Sequence, residues 1–555
     1  MVRGMRRRFA GVGVAAAAVV LAAVTAGNPV AGAAGGPSTS QVPVRPILEP
    51  PLRRVAPSIS PLALLPSPSS PWTPLANQPS FAPGTMLLES NGAVMVQAYS
   101  STGNGSGTWY ELTPNAQGSY QAGTWTKVAS MPAGYDPLYA ASAILPSGQM
   151  IVEGGEYLGS TPAWTNKGAI YNPVTNTWKS VAPPAGWNNI GDAQSNVLAN
   201  GTFMMAQACQ NCLTNPTFST QDALLNPKTM GWTVLPGKGK HDPNDEEGWS
   251  LLPSGKLLSV DAWAPPATET FTPGTSNWSL AGNTPTTLPN PTAKEIGPQV
   301  VMPGGNTFVV GAGTSPTTPT SSKTCTASAK PTPTAVYDYA AQRWTAGPSV
   351  PPVNGVQYDA ADAPGSILPD GNVLFDVSPC VYYTTLLFYE YNPTTNSLTS
   401  VPTVPGASAD STYFTRMLAL PTGQVLFNDG SQMLLYNGGG TPKPTWAPRI
   451  TSVRKVLIPG TTAQLSGTQL AGLSQGAAYG DDSQSNTNFP IVRITNRSSG
   501  VVTYARTSNW SSVSIAPGAS SSTDFSLPRT TPRGWSTVVV VANGIPSQPM
   551  PVLVL

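Results

Sequence analysis

The sequence predicts an all-β protein built around a seven-bladed β-propeller. A hairpin glycine recurs at Gly92, Gly148, Gly201, Gly255, Gly305, Gly371 and Gly423, at intervals of 56, 53, 54, 50, 66 and 52 residues. Tandem units of about 50 residues indicate a ring of blades. Gly and Pro supply 54 and 60 of the 555 residues and charged residues only 10%, so turns are dense and charge is scarce compared with the roughly 25% of an average soluble protein. The apolar fraction of 40%, with 14 Trp and 18 Tyr, is enough for real cores and excludes a wholly disordered chain. A net charge of +2 gives no electrostatic footprint for nucleic acid, whose binding rests on phosphate neutralisation. The length predicts two to four domains.

Residues 1–33 read as a signal peptide. Arg3, Arg6, Arg7 and Arg8 precede an apolar run over 9–26, and Ala31-Gly32-Ala33 fits a cleavage site. Arg6-Arg7-Arg8-Phe9 leaves both the Sec and the twin-arginine routes open. A secreted or cell-surface protein follows. No later apolar run reaches the 18 or so residues of a membrane span, so none is expected in the mature chain. Residues 34–71 form a Pro/Ser-rich linker. Four cysteines in an exported chain predict two disulfides. Of the three connectivities, a local Cys209–Cys212 pair with a long Cys325–Cys380 loop is favoured.

The repeat occupies 72–446. Its clearest copy runs from Ala143 through Gly148 to Gly155, then from Ala169 to Trp178, supplying about four strands. The late aromatic recurs as Trp125, Trp178, Trp232, Trp278 and Trp344, with Leu398 and Trp446 ending the series. A four-stranded blade cannot bury both faces alone, whereas radial stacking buries them, so these tryptophans read as blade core.

The pattern resembles the kelch repeats of the galactose oxidase family. Residues 447–555, opening on Pro448-Arg-Ile-Thr and carrying Pro532-Arg-Gly-Trp535 through Pro546, resemble that family's C-terminal immunoglobulin-like β-sandwich. The resemblance covers about 480 residues and omits the family's carbohydrate-binding N-terminal domain. It implies a copper site of two tyrosines and two histidines, with one tyrosine crosslinked to a cysteine. Here Phe81-Ala82-Pro83-Gly84 puts Ala82 at the cysteine position, Tyr139 and Tyr413 retain the tyrosines, Phe414 replaces one histidine, and Gln484 falls at the other. Copper(II) takes most of its affinity from imidazole. The only histidine, His241, sits in GKGKHDPNDEEGW, which reads as a solvated loop. Copper-radical oxidation is therefore not expected.

Nine residues before the hairpin glycines stand Pro83, Tyr139, Asp192, Glu246, Ile296, Asp362 and Phe414. Equivalent repeat positions share a ring at the channel mouth. Asp192, Glu246 and Asp362 are thus the candidate catalytic or calcium-binding carboxylates, with Glu247 and Glu295 one residue away, and Tyr139 and Tyr413 complete the candidate ligand site. Carboxylates brought together in this way can hold Ca²⁺ or divide into a general acid and base; otherwise they cap backbone amides. Trp109, Trp164, Trp187 and Trp263 could stack on sugars, although tryptophan in a propeller usually serves packing. The expected function is extracellular binding of a carbohydrate or other polymer. A carboxylate hydrolase or lyase and a structural envelope protein are the alternatives.

Overall fold

The computed structural model describes residues 70–555, apart from 101–102, 314–329, 382 and 480–484. The expectations for the signal peptide, nearly all of the linker, Cys325 and Gln484 lie outside the described residues.

Six four-stranded antiparallel sheets and, in the sixth place, one six-stranded sheet follow one another along the described chain. Each starts with a short strand of mostly small or apolar residues: Ala82–Leu88, Ala141–Ile144, Ser195–Val197, Ser250–Leu251, Gln299–Val301, Pro364–Ile367 and Arg416–Ala419. These strands are almost wholly buried. The fourth strands, such as Thr124–Lys127 and Thr177–Val181, alternate with exposed residues. The first strands therefore line the axis and the fourth strands the rim. Neighbouring first strands touch around the ring; between the third and fourth sheets the link is Asn196 Nδ2 donating to the Trp249 carbonyl at 3.0 Å. All seven hairpin glycines have φ between 76° and 94°, a left-handed conformation open to glycine at no steric cost. This is why the repeat is so visible in the sequence.

The outer strand of the seventh sheet is Trp72–Pro74, paired antiparallel with Met433–Tyr436. Trp72 packs against Phe388, Phe427 and Tyr436. Trp446, expected to end the series, instead lies in a 3₁₀ turn, its ring against Gly371. Reaching the fourth position of that sheet would place it where Trp72–Pro74 already sits.

The recurrent tryptophans also join the blades. Indole N–H groups donate backward around the ring: Trp178 to the Ala129 carbonyl, Trp232 to Ala182, Trp278 to Asp222 Oδ2, Trp344 to Thr268 Oγ1 and Trp72 to Pro402, at 2.6–2.9 Å. Trp125, Trp178 and Trp232 are only partly buried, so the expectation that all were core is corrected. Trp278→Phe, which takes a donor from a buried carboxylate, should cost about 1–3 kcal/mol, and Trp232→Phe about 1 kcal/mol or less. Urea midpoints of the two variants check the difference.

Residues beyond 447 build a β-sandwich with its own core, including Leu465, Val492, Phe525 and Val538. A second face, through Phe489, Tyr504, Trp510 and Val539, merges with the propeller core. One segment leaves the sandwich to cross the channel. Ser474 Oγ donates to the Val301 carbonyl and Gln475 Nε2 to Asn196 Oδ1, while Gln475 Oε1 accepts from the Leu251 amide. Ala477–Tyr479 then pairs with Pro364–Ile367. Cys209 and Cys212 are disulfide-bonded, and so is Cys380.

Candidate functional site at the channel mouth

Because every sheet begins at the axis, the segments leading into the first strands meet at one end of the ring. Tyr139, Asp362 and Phe414 each lie two residues before their strand. Tyr139, Glu246 and Asp362 have φ of 54°, 61° and 48°, a conformation that costs energy in a residue with a Cβ and that clusters at functional sites.

Glu246, Glu295 and Asp362 each place a carboxylate oxygen within 4.8 Å of the other two. Glu246 and Glu295 are buried and Asp362 is partly exposed. The Asp362 amide donates to the Ile296 carbonyl at 3.2 Å, tying the fifth and sixth lead-ins together. The trio differs from the expected one: Glu295 joins it and Asp192 does not, although Asp192 is buried. The turn is shifted toward the N-terminus in both lead-ins, by one residue in the third and by two in the fifth. In the third lead-in the left-handed residue is Gly191, and in the fifth it is Lys294. Ile296, nine residues before its glycine, packs into the core with Leu258 and Val309.

Beside the carboxylates lies a group of aromatics around Arg416. Arg416 is fully buried; Nη1 donates to the carbonyls of Tyr413 and Thr415 at 2.9 and 2.8 Å. Its guanidinium stands 3.7 Å from the Tyr479 ring centre, and the Tyr479 hydroxyl donates to the Tyr413 carbonyl at 2.9 Å. Burial, then the Asp362 charge, pushes the Tyr413 phenol up. Burial also raises Tyr139, as do Tyr99 and Tyr413, against a smaller opposing effect of Arg416. Both tyrosines are therefore neutral hydroxyls, able to donate.

Copper does not fit these residues. Ala82 offers no sulfur, and the Phe414 ring lies 4.2 Å from the Tyr413 ring with no lone pair to give. Without imidazole or thiolate, the remaining phenols are a poor set for copper(II).

The loop after His241 is not solvated, although His241 itself is exposed as expected. Its Nδ1 lies 2.8 Å from Asp261 Oδ2, its side chain is 44% exposed, and the hydrogen bond to Asp261 raises its pKa. Residues 242 and 244–247 are buried. The reason is Lys240, whose ammonium is fully buried 2.8–2.9 Å from Asp242, Glu247 and Glu269. Asp242, Glu247, Asp261 and Glu269 gather oxygens within 4.8 Å, as a metal cage would, and Lys240 is the cation among them. Ser259 Oγ also donates to Glu247 at 2.8 Å. Glu246 and Glu247, adjacent in sequence, thus serve different clusters. Sequence reasoning missed Lys240, Asp261, Glu269 and Arg416; Lys238 and Lys240 precede the acidic stretch alike, and nothing in the sequence marks which of them is buried.

Trp109, Trp164 and Trp187 are buried, which leaves them the packing role and not sugar stacking. Trp263 is half-buried, donates to Asp245 and carries Lys294 over its ring at 5.1 Å.

These features define an all-β protein of propeller-and-sandwich architecture with three carboxylates gathered at one end of the ring. No protein family and no curated protein matches the chain. Among solved structures, a fungal alcohol oxidase of the AA5 family in complex with copper is similar at 14% identity, over 87% of this chain and 99% of that one, with a TM-score of 0.48. YjhT is similar at 16% identity over 66% and 96%, with a TM-score of 0.34. The extracellular domain of BT4673 from B. thetaiotaomicron is similar at 9% identity over 87% and 59%, with a TM-score of 0.41. No helix among the described residues is long and apolar enough to cross a membrane.

Proposed function

We propose that this is an exported, non-catalytic recognition protein that binds a carbohydrate or similar hydroxyl-rich polymer at the channel mouth, with calcium held by Glu246, Glu295 and Asp362. The observation that carries the reading is the approach of three carboxylates to within 4.8 Å of one another beside the partly exposed rings of Tyr139, Tyr413 and Phe414. Carboxylates so close repel one another unless protons or a cation intervene, and an all-oxygen set suits a hard ion such as Ca²⁺. A bound ion would present open positions to sugar hydroxyls, and the aromatic rings would take the apolar face of a sugar. The Cys209–Cys212 disulfide supports export.

Metal analysis followed by calcium titration and a glycan array, each with and without chelator, tests the proposal. Stoichiometric calcium is expected, with an affinity loss of at least about tenfold in Glu295→Gln and chelator-sensitive polymer binding. Stoichiometric copper, or no divalent ion and no glycan binding, would overturn it. Shortening of a bound polymer would move the assignment to a carboxylate hydrolase.

A further inference from the structure

Seven large hydrophobic side chains are strongly exposed among the described residues, and four of them, Val456, Ile458, Trp535 and Leu555, at 46–61%, lie on the sandwich. The strand register brings them together. In the antiparallel pair of Gly534–Ala542 and Met550–Val554, Trp535 stands opposite Leu553. In the parallel pair with Val456–Leu457, Leu553 stands opposite Val456. Residues opposite one another share a sheet face, and alternate residues along a strand return to it. Trp535, Leu553, Leu555, Val456 and Ile458 therefore form one apolar strip on the outer face, while Leu457, Val552 and Val554 fill the core behind it.

The rim of the strip is cationic. Arg454 and Lys455 immediately precede Val456, and the Lys455 carbonyl accepts the Leu553 amide. The Arg497 amide donates to the Trp535 carbonyl at 2.9 Å, and Arg533 lies two residues before Trp535. Arg529 lies against Gly460, just past Ile458. All five basic residues are exposed. Residues 447–555 hold eight Lys and Arg against three Asp and no Glu, whereas residues 72–446 hold 13 basic against 22 acidic residues. Asp524, the one acid of the sandwich among the described residues, pairs in register with Gln464 and Ser508 and accepts from Asn509. The acids are concentrated in the propeller, and the free apolar strip lies within a basic field.

We infer that this face docks the protein onto an anionic lipid bilayer, with Trp535 and the aliphatic strip entering the headgroup boundary and the basic rim meeting lipid phosphates. Exposed apolar patches with polar rims mark interaction surfaces. Tryptophan favours the membrane interface, and anionic leaflets attract surface lysine and arginine. The inference is independent of the mouth and its ligand.

The test is co-sedimentation of the mature chain with phosphatidylcholine vesicles, with and without phosphatidylglycerol. Binding is expected only to the anionic vesicles and should weaken as salt screens the rim. Trp535→Ser with Val456→Ser, and separately Arg454→Glu with Lys455→Glu, should each lower partitioning at least about tenfold; circular dichroism verifies that these surface variants fold. Absence of binding to anionic vesicles, or unchanged binding by both variants, would overturn the inference. So would binding to soluble polyphosphate without any to vesicles, which would identify an anionic polymer as the partner.

Discussion

Replacing Lys240 by Met should destabilise the protein by about 3–5 kcal/mol, the usual cost of leaving buried charges without their partner. Three carboxylates share this one ammonium at 2.8–2.9 Å, with both sides of each pair almost or wholly inaccessible. The folded state would have to protonate them or admit water. Glu269 belongs to the third strand of the fourth sheet, and Asp242 and Glu247 to the loop leading into that sheet. Lys240 therefore fixes the loop to the blade. Denaturant midpoints measure the effect. Adding Glu269→Gln to Lys240→Met should recover part of the loss, because one orphaned charge disappears; no recovery would locate the cost in packing, around Trp278 in particular, whose ring lies 5.2 Å from the ammonium.

Thermal stability should fall by at least about 3 °C between pH 5 and pH 8. Burial pushes the carboxyls of Glu89 and Asp359 up to about 8, and holds those of Glu153 and Asp376 well above the usual range. In the unfolded chain such groups lose their protons near pH 4. Between about 4 and 8 the folded state thus binds more protons than the unfolded one, and stability declines as pH rises. His241, raised by Asp261, acts in the same sense. Asp242, whose carboxyl is lowered mainly by Lys240 against the opposing effect of burial, has the reverse sense, but its contribution is lost only below the normal aspartate range. Calorimetry across this range checks the slope; a rise in melting temperature toward pH 8 would mean that these acids are solvated.

The parts of the fold legible in the sequence are those that backbone geometry forces to repeat. A left-handed turn demands glycine, and seven such turns write seven glycines at nearly even spacing. The mouth was legible to the extent that it shares this register. Glu246 and Asp362 were found at the repeat position, whereas Glu295 was displaced by a turn centred on Lys294. The ion cluster was not legible. Lys240, Asp261 and Glu269 meet through blade packing, and no spacing or composition announces such a meeting. Nor was the closing strand, since three residues, Trp72–Pro74, carry no periodicity. The crossing of the channel by Ser474–Tyr479 likewise depends on hydrogen bonds to four different blades.

The pairing of Trp72 with Tyr436 also has a bearing on the order of assembly. The two residues are separated by 364 positions, so one of the earliest parts of the repeat region to emerge waits for one of its last. Until then Met433–Tyr436 presents an unpaired edge of the kind that invites foreign strands, and the indole of Trp72 lacks its acceptor at Pro402. Contacts this distant in sequence form slowly, because chain entropy must be lost before they return any energy. The ends of the repeat region act as a clasp fastened last, and the time before fastening is when the chain is most exposed to proteases and to its own copies.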